Sequence, residues 1–308
     1  MNIQTDIKVS VIITTYNRSI YLKETLNSIQ NQTIQNIEIL VIDDGSKPEI
    51  SSQIKQICNQ FSKCSYYYKS NTGQPSSRNY GIKKAKGNFI GFCDDDDYWV
   101  LDKLEKQIDI LNKNQDVDIV VGNIEYVDAN SKSLNIIKSH FPYNNGYVFE
   151  NFLIKNRTDS VTPLLRKEIF KKTGFFNPNF TISEDWDFWR KASFFHKFYA
   201  LDEVLAYIRK HDHNMTSQKR THIDGLELYH KITLSLLKWG EDKFTLKQKN
   251  KILYIEYLHY RKYFGNYHAG LYKKAIFAVK LFLYRPTLFV RILKTALKKF
   301  NYEAEQKN

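Results

Sequence analysis

The sequence predicts an α/β fold, with a mainly parallel sheet between flanking helices and a helical extension at the C-terminus. Short apolar runs rich in β-branched residues alternate with segments of helical periodicity through the first third of the chain. This alternation is typical of strand–helix–strand crossovers. Two of the apolar runs end in clusters of aspartate. The 308 residues slightly exceed what one hydrophobic core usually serves, which leaves room for an appendage.

The individual elements follow from spacing and composition. Leu22, Leu26 and Ile29 recur at helical intervals, and Ser19 is a suitable N-cap for their helix. The other runs predict strands over 9–14, 37–42, 64–68, 88–93 and 117–122, and helices over 50–59, 77–85 and 102–112. No clear period runs from about 123 to 180. Ser183 is expected to cap a helix over 183–196, and the chain from about 224 onward is mostly helical.

Acidic residues follow two of the predicted strands. Asp43 and Asp44 end the second, and the four aspartates 94–97 end a later one. Ligands of open α/β sheets bind outside the carboxyl ends of the strands, so both clusters should line one crevice. Four adjacent carboxylates repel one another unless a cation compensates them, and Mg²⁺ or Mn²⁺ prefers such oxygen ligands. The alternative is that Asp97 or Asp102 simply favours the start of the next helix.

The positive charge is concentrated near the C-terminus. The formal net charge is +13, and residues 261–308 hold 11 Lys or Arg against two Glu. Basic residues there alternate with Phe, Leu and Ile, which favours an anionic membrane surface over a nucleic acid. Two alternatives remain: a solvated basic helix, or an apolar face that packs on the main domain or on a second subunit.

Composition also restricts the location of the protein. The N-terminal residues do not resemble a signal peptide, and no run of about 18 uninterrupted apolar residues predicts a spanning helix. Three cysteines without paired metal-ligand spacing indicate free thiols in a reducing compartment. We therefore expect a cytoplasmic protein, peripheral at the inner face of the cell membrane.

Five segments together resemble glycosyltransferase family 2, whose members have the GT-A fold. They are VSVIITTYNR at 9–18, LNSIQNQT at 26–33, EILVIDDGS at 38–46, NTGQPSSRNYGIKKAKGNFIGFCDDDDYW at 71–99 and SEDWDFWRKA at 183–192. Each segment alone is a weak signal, but their order and spacing are specific. The resemblance covers most of residues 8–215 and implies a GT-A catalytic domain over 1–220. Its nucleotide-sugar-binding half would span 1–100 and its acceptor-binding half 101–220, followed by a basic, amphipathic helical region over 221–308.

The resemblance also implies the site residues. The donor nucleotide would be bound by Thr14, Tyr16, Asn17, Arg18, Asp44, Arg78, Asp94 and Asp95. Asp44 would accept the N3–H of a pyrimidine base. The Mn²⁺ or Mg²⁺ ligands would be Asp96, with Asp94 and His211 as further candidates and His213 as an alternative histidine. One of Glu184 and Asp185 would be the general base, while both could instead only counter the dipole of their helix.

Such an enzyme would transfer a sugar from a UDP-sugar, or another nucleotide diphosphate sugar, to a hydroxyl group with inversion. The expected acceptor is a glycan or a polyprenyl-linked oligosaccharide of surface polysaccharide, lipopolysaccharide or capsule synthesis, and a homodimer is possible. A dinucleotide-dependent oxidoreductase is excluded because G-x-G-x-x-G does not follow the first strand. The remaining alternative is a non-catalytic α/β protein that uses its positive charge to bind nucleic acid or membrane.

Overall fold

The computed structural model describes residues 8–139, 145–212, 214, 222–266, 279 and 290. The chain divides into two compact units, residues 1–218 and 219–308. Almost all of the basic C-terminal tail, as well as His213, lies outside the described residues. Predictions made for those residues therefore stay predictions.

Within the described residues, nine strands form one sheet in the first unit, in the order β3-β2-β1-β4-β8-β6-β9-β5, with β7 paired to β6. The strands are β1 Val9–Thr15, β2 Ile37–Asp43, β3 Cys64–Tyr68, β4 Phe89–Asp94, β5 Tyr98–Trp99, β6 Ile119–Val127, β7 Ser133–Lys138, β8 Leu164–Arg166 and β9 Phe198–Arg209. The helices are α1 Leu22–Gln30, α2 Pro48–Cys58, α3 Gln74–Lys84, α4 Lys103–Lys113, α5 Phe149–Ile154, α6 Phe170–Thr173, α7 Glu184–Phe195, α8 His222–Trp239 and α9 Leu246–Asn266.

Strand β1 organises the first half of the sheet. It pairs in parallel with β2 on one side and β4 on the other, placing Thr15 opposite Asp43 and Thr14 opposite Asp94. All seven of its residues are buried. This register places the ends of both acidic strands at one edge of the sheet, as the sequence predicted. The α/β fold with a mixed, mainly parallel sheet and flanking helices is confirmed.

The apolar side chains form one hydrophobic cluster on each face of β1. Val9, Val11 and Ile13 point into the cluster that also contains the buried residues of α1, whereas Ile12 points to the opposite face. This division reflects the two-residue period of a strand. A strand covered on both faces must be apolar throughout, which explains its continuous hydrophobic run.

One local prediction was wrong. Helix α1 begins at Leu22 with Tyr21 at the N-cap position, and Ser19 Oγ instead donates to Gln53 Oε1 at 3.0 Å. Ser183 occupies the N-cap position of α7 as predicted, although it adopts a left-handed conformation and makes no side-chain capping bond. Residues 123–180 also contain more regular structure than their weak periodicity indicated, because β7, α5, β8 and α6 are short elements.

In the second unit α8 and α9 contact each other through a buried polar pair. Nδ1 of His230 lies 2.6 Å from Oε1 of the fully buried Glu256, and the rings of Tyr229 and His259 stack at 4.1 Å. Over the part of the chain that is described, no helix combines the length and apolarity needed to cross a membrane.

Close packing of α3 on β1 yields a stability prediction. A Cβ added at Gly81 would lie 2.5 Å from Cγ2 of Ile12. We expect Gly81→Ala to lower the free energy of unfolding by about 1–3 kcal/mol through overpacking, measured by chemical denaturation. Gly225→Ala in α8 is the matched control, since its added Cβ meets nothing within 4 Å. Equal stability of the two variants would contradict this contact.

Candidate active site

The carboxyl edge of β1, β2 and β4 holds the acidic clusters. Asp43, at the end of β2, has a structural role there: its Oδ1 accepts from the backbone N–H of Ser46 at 2.9 Å and its Oδ2 from the hydroxyl of Tyr66 at 2.8 Å. The intervening turn requires Gly45, which has a φ of 83° and lies so close to the backbone of Asn71 that a Cβ would clash.

Asp44 is held next to the loop that leads into α3. Its carboxylate accepts from the backbone N–H groups of Thr72 at 3.0 Å and Gly73 at 2.8 Å, and it forms an ion pair with Lys69. The side chain is almost fully buried. Lys69, at the end of β3, is a residue that the sequence did not single out, since a lysine after a strand usually faces solvent.

The end of β1 and the loop after it carry four more of the predicted nucleotide-binding residues. Thr14 is buried, whereas Tyr16 has an exposed fraction of 53%, so its ring is available to stack on a ligand. Asn17 has a φ of 51°, a left-handed conformation that asparagine tolerates. Its backbone N–H donates to Ser46 Oγ and its Oδ1 accepts from the N–H of Lys47, each at 2.8 Å. Asn17 thereby joins the β1 loop to the β2 loop.

Arg18 compensates two of the four consecutive aspartates. Its guanidinium forms an ion pair with Asp95, and its Nη1 lies 2.7 Å from Oδ2 of Asp96. Burial raises the pKa of each of these carboxyl groups to about 6, although Arg18 opposes the rise. Asp95 also accepts from the hydroxyl of Thr15 at 2.6 Å. Its contacts make Asp95 an internal anchor of this loop.

Asp96 and His211 form a pair that fits a divalent cation. Oδ2 of Asp96 lies 3.0 Å from Nε2 of His211, and both side chains are almost fully buried. A carboxylate oxygen with an imidazole nitrogen is a suitable donor set for Mn²⁺. In the described ranges, no three acidic, histidine or cysteine side chains come together to hold a metal. The protein would therefore supply two ligands and leave the others to water and substrate phosphate, as Mg²⁺-type sites commonly do.

Arg209 supports the aspartate loop from the opposite side. Its backbone N–H donates to Oδ1 of Asp97 at 3.0 Å, and its Nε donates to the carbonyl of Asp96 at 3.0 Å. Nη2 pairs with Glu24 on α1 at 2.6 Å. The guanidinium also lies 4.4 Å from the ring centre of Tyr21. Arg209 therefore fixes the loop that carries Asp96. Arg209 itself lies two residues before His211 in the chain.

Arg78 connects the two parts of the site. From α3 its Nη2 reaches Oδ1 of Asp94 at 3.2 Å, and its Nη1 reaches Oε1 of Glu184 at 2.6 Å. Asp94 is the more exposed partner and also accepts from Gln74 Nε2 at 3.0 Å. Burial alone would lower the pKa of Arg78, but the neighbouring carboxylates outweigh it and raise the pKa. One guanidinium thus spans from the end of β4 to the start of α7.

Glu184 and Asp185 begin α7 in different environments. Glu184 is buried and paired with Arg78, whereas Asp185 is half-buried and forms no ion pair with any residue that the structure describes. Oδ2 of Asp185 accepts from Nδ2 of Asn156 at 2.9 Å, and its Oδ1 accepts from the backbone N–H of Trp186 at 2.7 Å. Burial and then the charge of Glu184 raise the pKa of Asp185 to about 7.

The structure therefore brings nearly all the sequence-predicted site residues to one edge. It also adds Lys69, Arg209, Glu24 and Asn156, which reach the site through contacts between residues distant in the chain. Of these four residues, only Arg209 could have been found from the sequence, because it lies two residues before the predicted metal ligand His211. A separate cavity of about 870 Å³ lies at the opposite edge, where β4 begins, and is lined in part by Lys8, Phe89, Arg166 and Lys171.

Comparisons with solved structures match this arrangement at the level of the fold. The chain is similar to S. aureus TarS 1-349 in complex with UDP-GlcNAc, with a TM-score of 0.63, 22% identity, and coverage of 93% of this chain and 79% of that one. It is also similar to the mannosyltransferase PcManGT from Pyrobaculum calidifontis in complex with GDP-Man and Mn²⁺, with a TM-score of 0.56, 15% identity, and coverage of 95% and 87%.

Sequence comparison identifies the family. An uncharacterised glycosyltransferase of Rickettsia typhi is 34% identical over 233 residues, which cover 75% of this chain and 71% of that protein. The family described as Glycosyl transferase family 2 matches residues 10–174. With this match over more than half of its length, the acidic edge of the sheet and the GT-A architecture, the chain belongs to glycosyltransferase family 2.

Proposed function

We propose that the protein is a metal-dependent inverting glycosyltransferase that transfers a hexosyl or N-acetylhexosaminyl group from a UDP-sugar to a hydroxyl of a glycan or lipid-linked oligosaccharide. The observation that carries this proposal is the pair of ion pairs made by Arg78. They connect the predicted donor-side carboxylate Asp94 to the acidic start of α7. Departure of the nucleotide diphosphate and removal of the acceptor proton can therefore take place on either side of the buried guanidinium of Arg78.

The donor nucleotide would bind over the loops after β1 and β2. Asp44 is a buried carboxylate, which suits the N3–H donor of uracil, and Tyr16, in the loop after β1, offers an exposed ring. The UDP and UDP-GlcNAc complexes of TarS and the GDP-Man complex of PcManGT support a nucleotide-sugar donor. Of the two bases we choose uracil, because the TarS complex with UDP-GlcNAc has the higher TM-score of the two.

The diphosphate would lie over the aspartate loop near Arg18, Arg78, Asp96 and His211. Arg18 and Arg78 place positive charge where negative charge develops on the leaving group. A divalent cation held by Asp96 and His211 would add Lewis-acid stabilisation of the same group. The Mn²⁺ in the PcManGT complex supports this choice of metal.

Asp185 is our choice for the general base. A base becomes protonated during the reaction, and protonation of Glu184 would break its buried ion pair with Arg78. Asp185 forms no such pair within the described part of the chain, and its pKa of about 7 is close to the pH at which a base works best. Asp185 would take the proton of the acceptor hydroxyl as the oxygen attacks the anomeric carbon from the face opposite the diphosphate.

The acceptor would lie beside α7 and would contact residues of the predicted acceptor-binding half, 101–220. We place the enzyme in surface polysaccharide, lipopolysaccharide or capsule synthesis, at the cytoplasmic face of the membrane, with the basic C-terminal residues binding anionic lipid. The alternation of basic and apolar residues in that segment supports this assignment. Association of the tail with a second subunit is the alternative.

The donor assignment predicts which nucleotide sugars react. Screening a panel of UDP-sugars and GDP-mannose should find release of UDP in Mn²⁺ from at least one UDP-sugar. Asp44→Asn should raise the donor KM about tenfold or more with a smaller effect on kcat, because a buried carboxylate acceptor is lost. Glu38→Gln, a change of another carboxylate on β2, is the control. Release of GDP alone would contradict the choice of uracil.

The metal assignment predicts the effect of removing one ligand. Asp96→Asn should weaken Mn²⁺ binding, measured by electron paramagnetic resonance, and should lower turnover by about 10²-fold or more. The amide preserves the shape of the side chain, and Arg18 keeps its ion pair with Asp95, so the variant should still fold. Asp102→Asn, in the next loop, should bind Mn²⁺ like the wild type. Unchanged Mn²⁺ affinity of Asp96→Asn would remove Asp96 from the metal site.

The base assignment predicts a pH profile. Asp185 must be ionised to accept a proton, so kcat/KM should be constant above about pH 7 and fall roughly tenfold per pH unit below it, following the pKa of about 7. Asp185→Asn should lower kcat by about 10²-fold or more and should abolish the fall of kcat/KM below about pH 7 (the acid limb of the profile). The donor affinity should be unchanged. Full activity of Asp185→Asn would show that another group removes the proton.

A further inference from the structure

Helix α7, which carries Asp185, is anchored to the end of α5. The carbonyl of Phe152 accepts from Nε1 of Trp186 at 2.7 Å and from Nε of Arg190 at 3.1 Å, and the carbonyl of Leu153 accepts from Nη2 of Arg190 at 2.9 Å. The last carbonyls of a helix have no partner within it, so these bonds satisfy them. Because Arg190 is fully buried, the end of α5 is fixed relative to α7.

This anchoring places Asn156, two residues beyond α5, against Asp185. The amide Nδ2 of Asn156 donates to Oδ2 of Asp185 at 2.9 Å. Its Oδ1 is buried and accepts no hydrogen bond from the residues that the structure describes. The orientation of the amide is determined by chemistry, since only its NH₂ end can donate to a carboxylate.

An asparagine here has an energetic cost. A buried carbonyl without a partner loses its hydration and gains nothing in exchange, so a small apolar side chain would avoid that penalty. Such groups in a folded protein call for an explanation. In this chain the other end of the same amide contacts the carboxylate that we assign as the base.

We propose that Asn156 is a positioning residue that orients the carboxylate of Asp185 for proton removal, an inference that rests on the proposed function of Asp185. With the N–H of Trp186 on Oδ1 and the amide of Asn156 on Oδ2, both oxygens of Asp185 are held and the plane of the carboxylate is fixed. Each oxygen keeps a second lone pair that can face the acceptor hydroxyl.

The amide also favours the ionised form of Asp185. In the described part of the chain, the charged groups that act on this carboxyl are Glu184 on its own helix, which raises its pKa, and Arg78 on α3, which lowers it. The donor from Asn156 acts in the same direction as Arg78. Loss of that donor should therefore leave Asp185 protonated up to a higher pH.

Two variants of Asn156 test the proposal. Asn156→Ala should lower kcat about 10- to 100-fold and move the acid limb of kcat/KM upward by about half to one pH unit, with the donor KM unchanged. Asn156→Asp keeps the shape but replaces a donor with a second negative charge, so it should move the limb further upward. Asn112→Ala, an exposed asparagine on α4, should behave like the wild type.

Stability measurements separate positioning from a structural role. The unfolding temperature of Asn156→Ala should be close to that of the wild type, since the unsatisfied carbonyl and the bond to Asp185 are lost together. An unchanged acid limb in both variants, or a loss of activity that only parallels a loss of stability, would overturn the inference even if Asp185→Asn is inactive. An active Asp185→Asn would instead overturn the assignment of the base.

Discussion

The compensation of the consecutive carboxylates 94–97 by three arginines is the constraint on which this site depends. Arg18 from the β1 loop pairs with Asp95 and Asp96, Arg78 from α3 pairs with Asp94, and Arg209 from β9 supports the backbone of the loop. Buried charges are tolerated only when they are paired and hydrogen-bonded. Three elements of the sheet and its helices must therefore pack correctly before the aspartate loop can form.

Much of the fold could be predicted from the sequence because its signals are local. The apolar runs of β1, β2 and β4 require burial on both faces of a sheet, and their ends are marked by turns and acidic residues. The meeting of Asp43 and Asp94 at one edge followed from parallel pairing alone. The family resemblance supplied Arg78, Glu184 and Asp185 as candidates, and their roles stay proposals.

The partners of these residues could not be predicted because they lie far apart in the chain. Arg209 pairs with Glu24 across 185 positions, and Asn156 reaches Asp185 only because α5 and α7 pack together. Lys103 is a stronger case: it is fully buried, donates to Gln107 at 2.7 Å and lies 3.9 Å from the ring centre of Trp99. Sequence patterns assign a lysine at a helix start to solvent, so only tertiary packing reveals this position.

The segment between β6 and β8 has a consequence for how such an enzyme can diversify. Strand β6 runs antiparallel to β8, so the segment that joins them, residues 128–163, begins and ends at the same end of the sheet. This segment includes β7, α5 and Asn156. Insertions or deletions within it would reshape the wall that we propose faces the acceptor, without disturbing the strands that we propose bind the nucleotide. New acceptor preferences can thus evolve on a donor framework that stays constant.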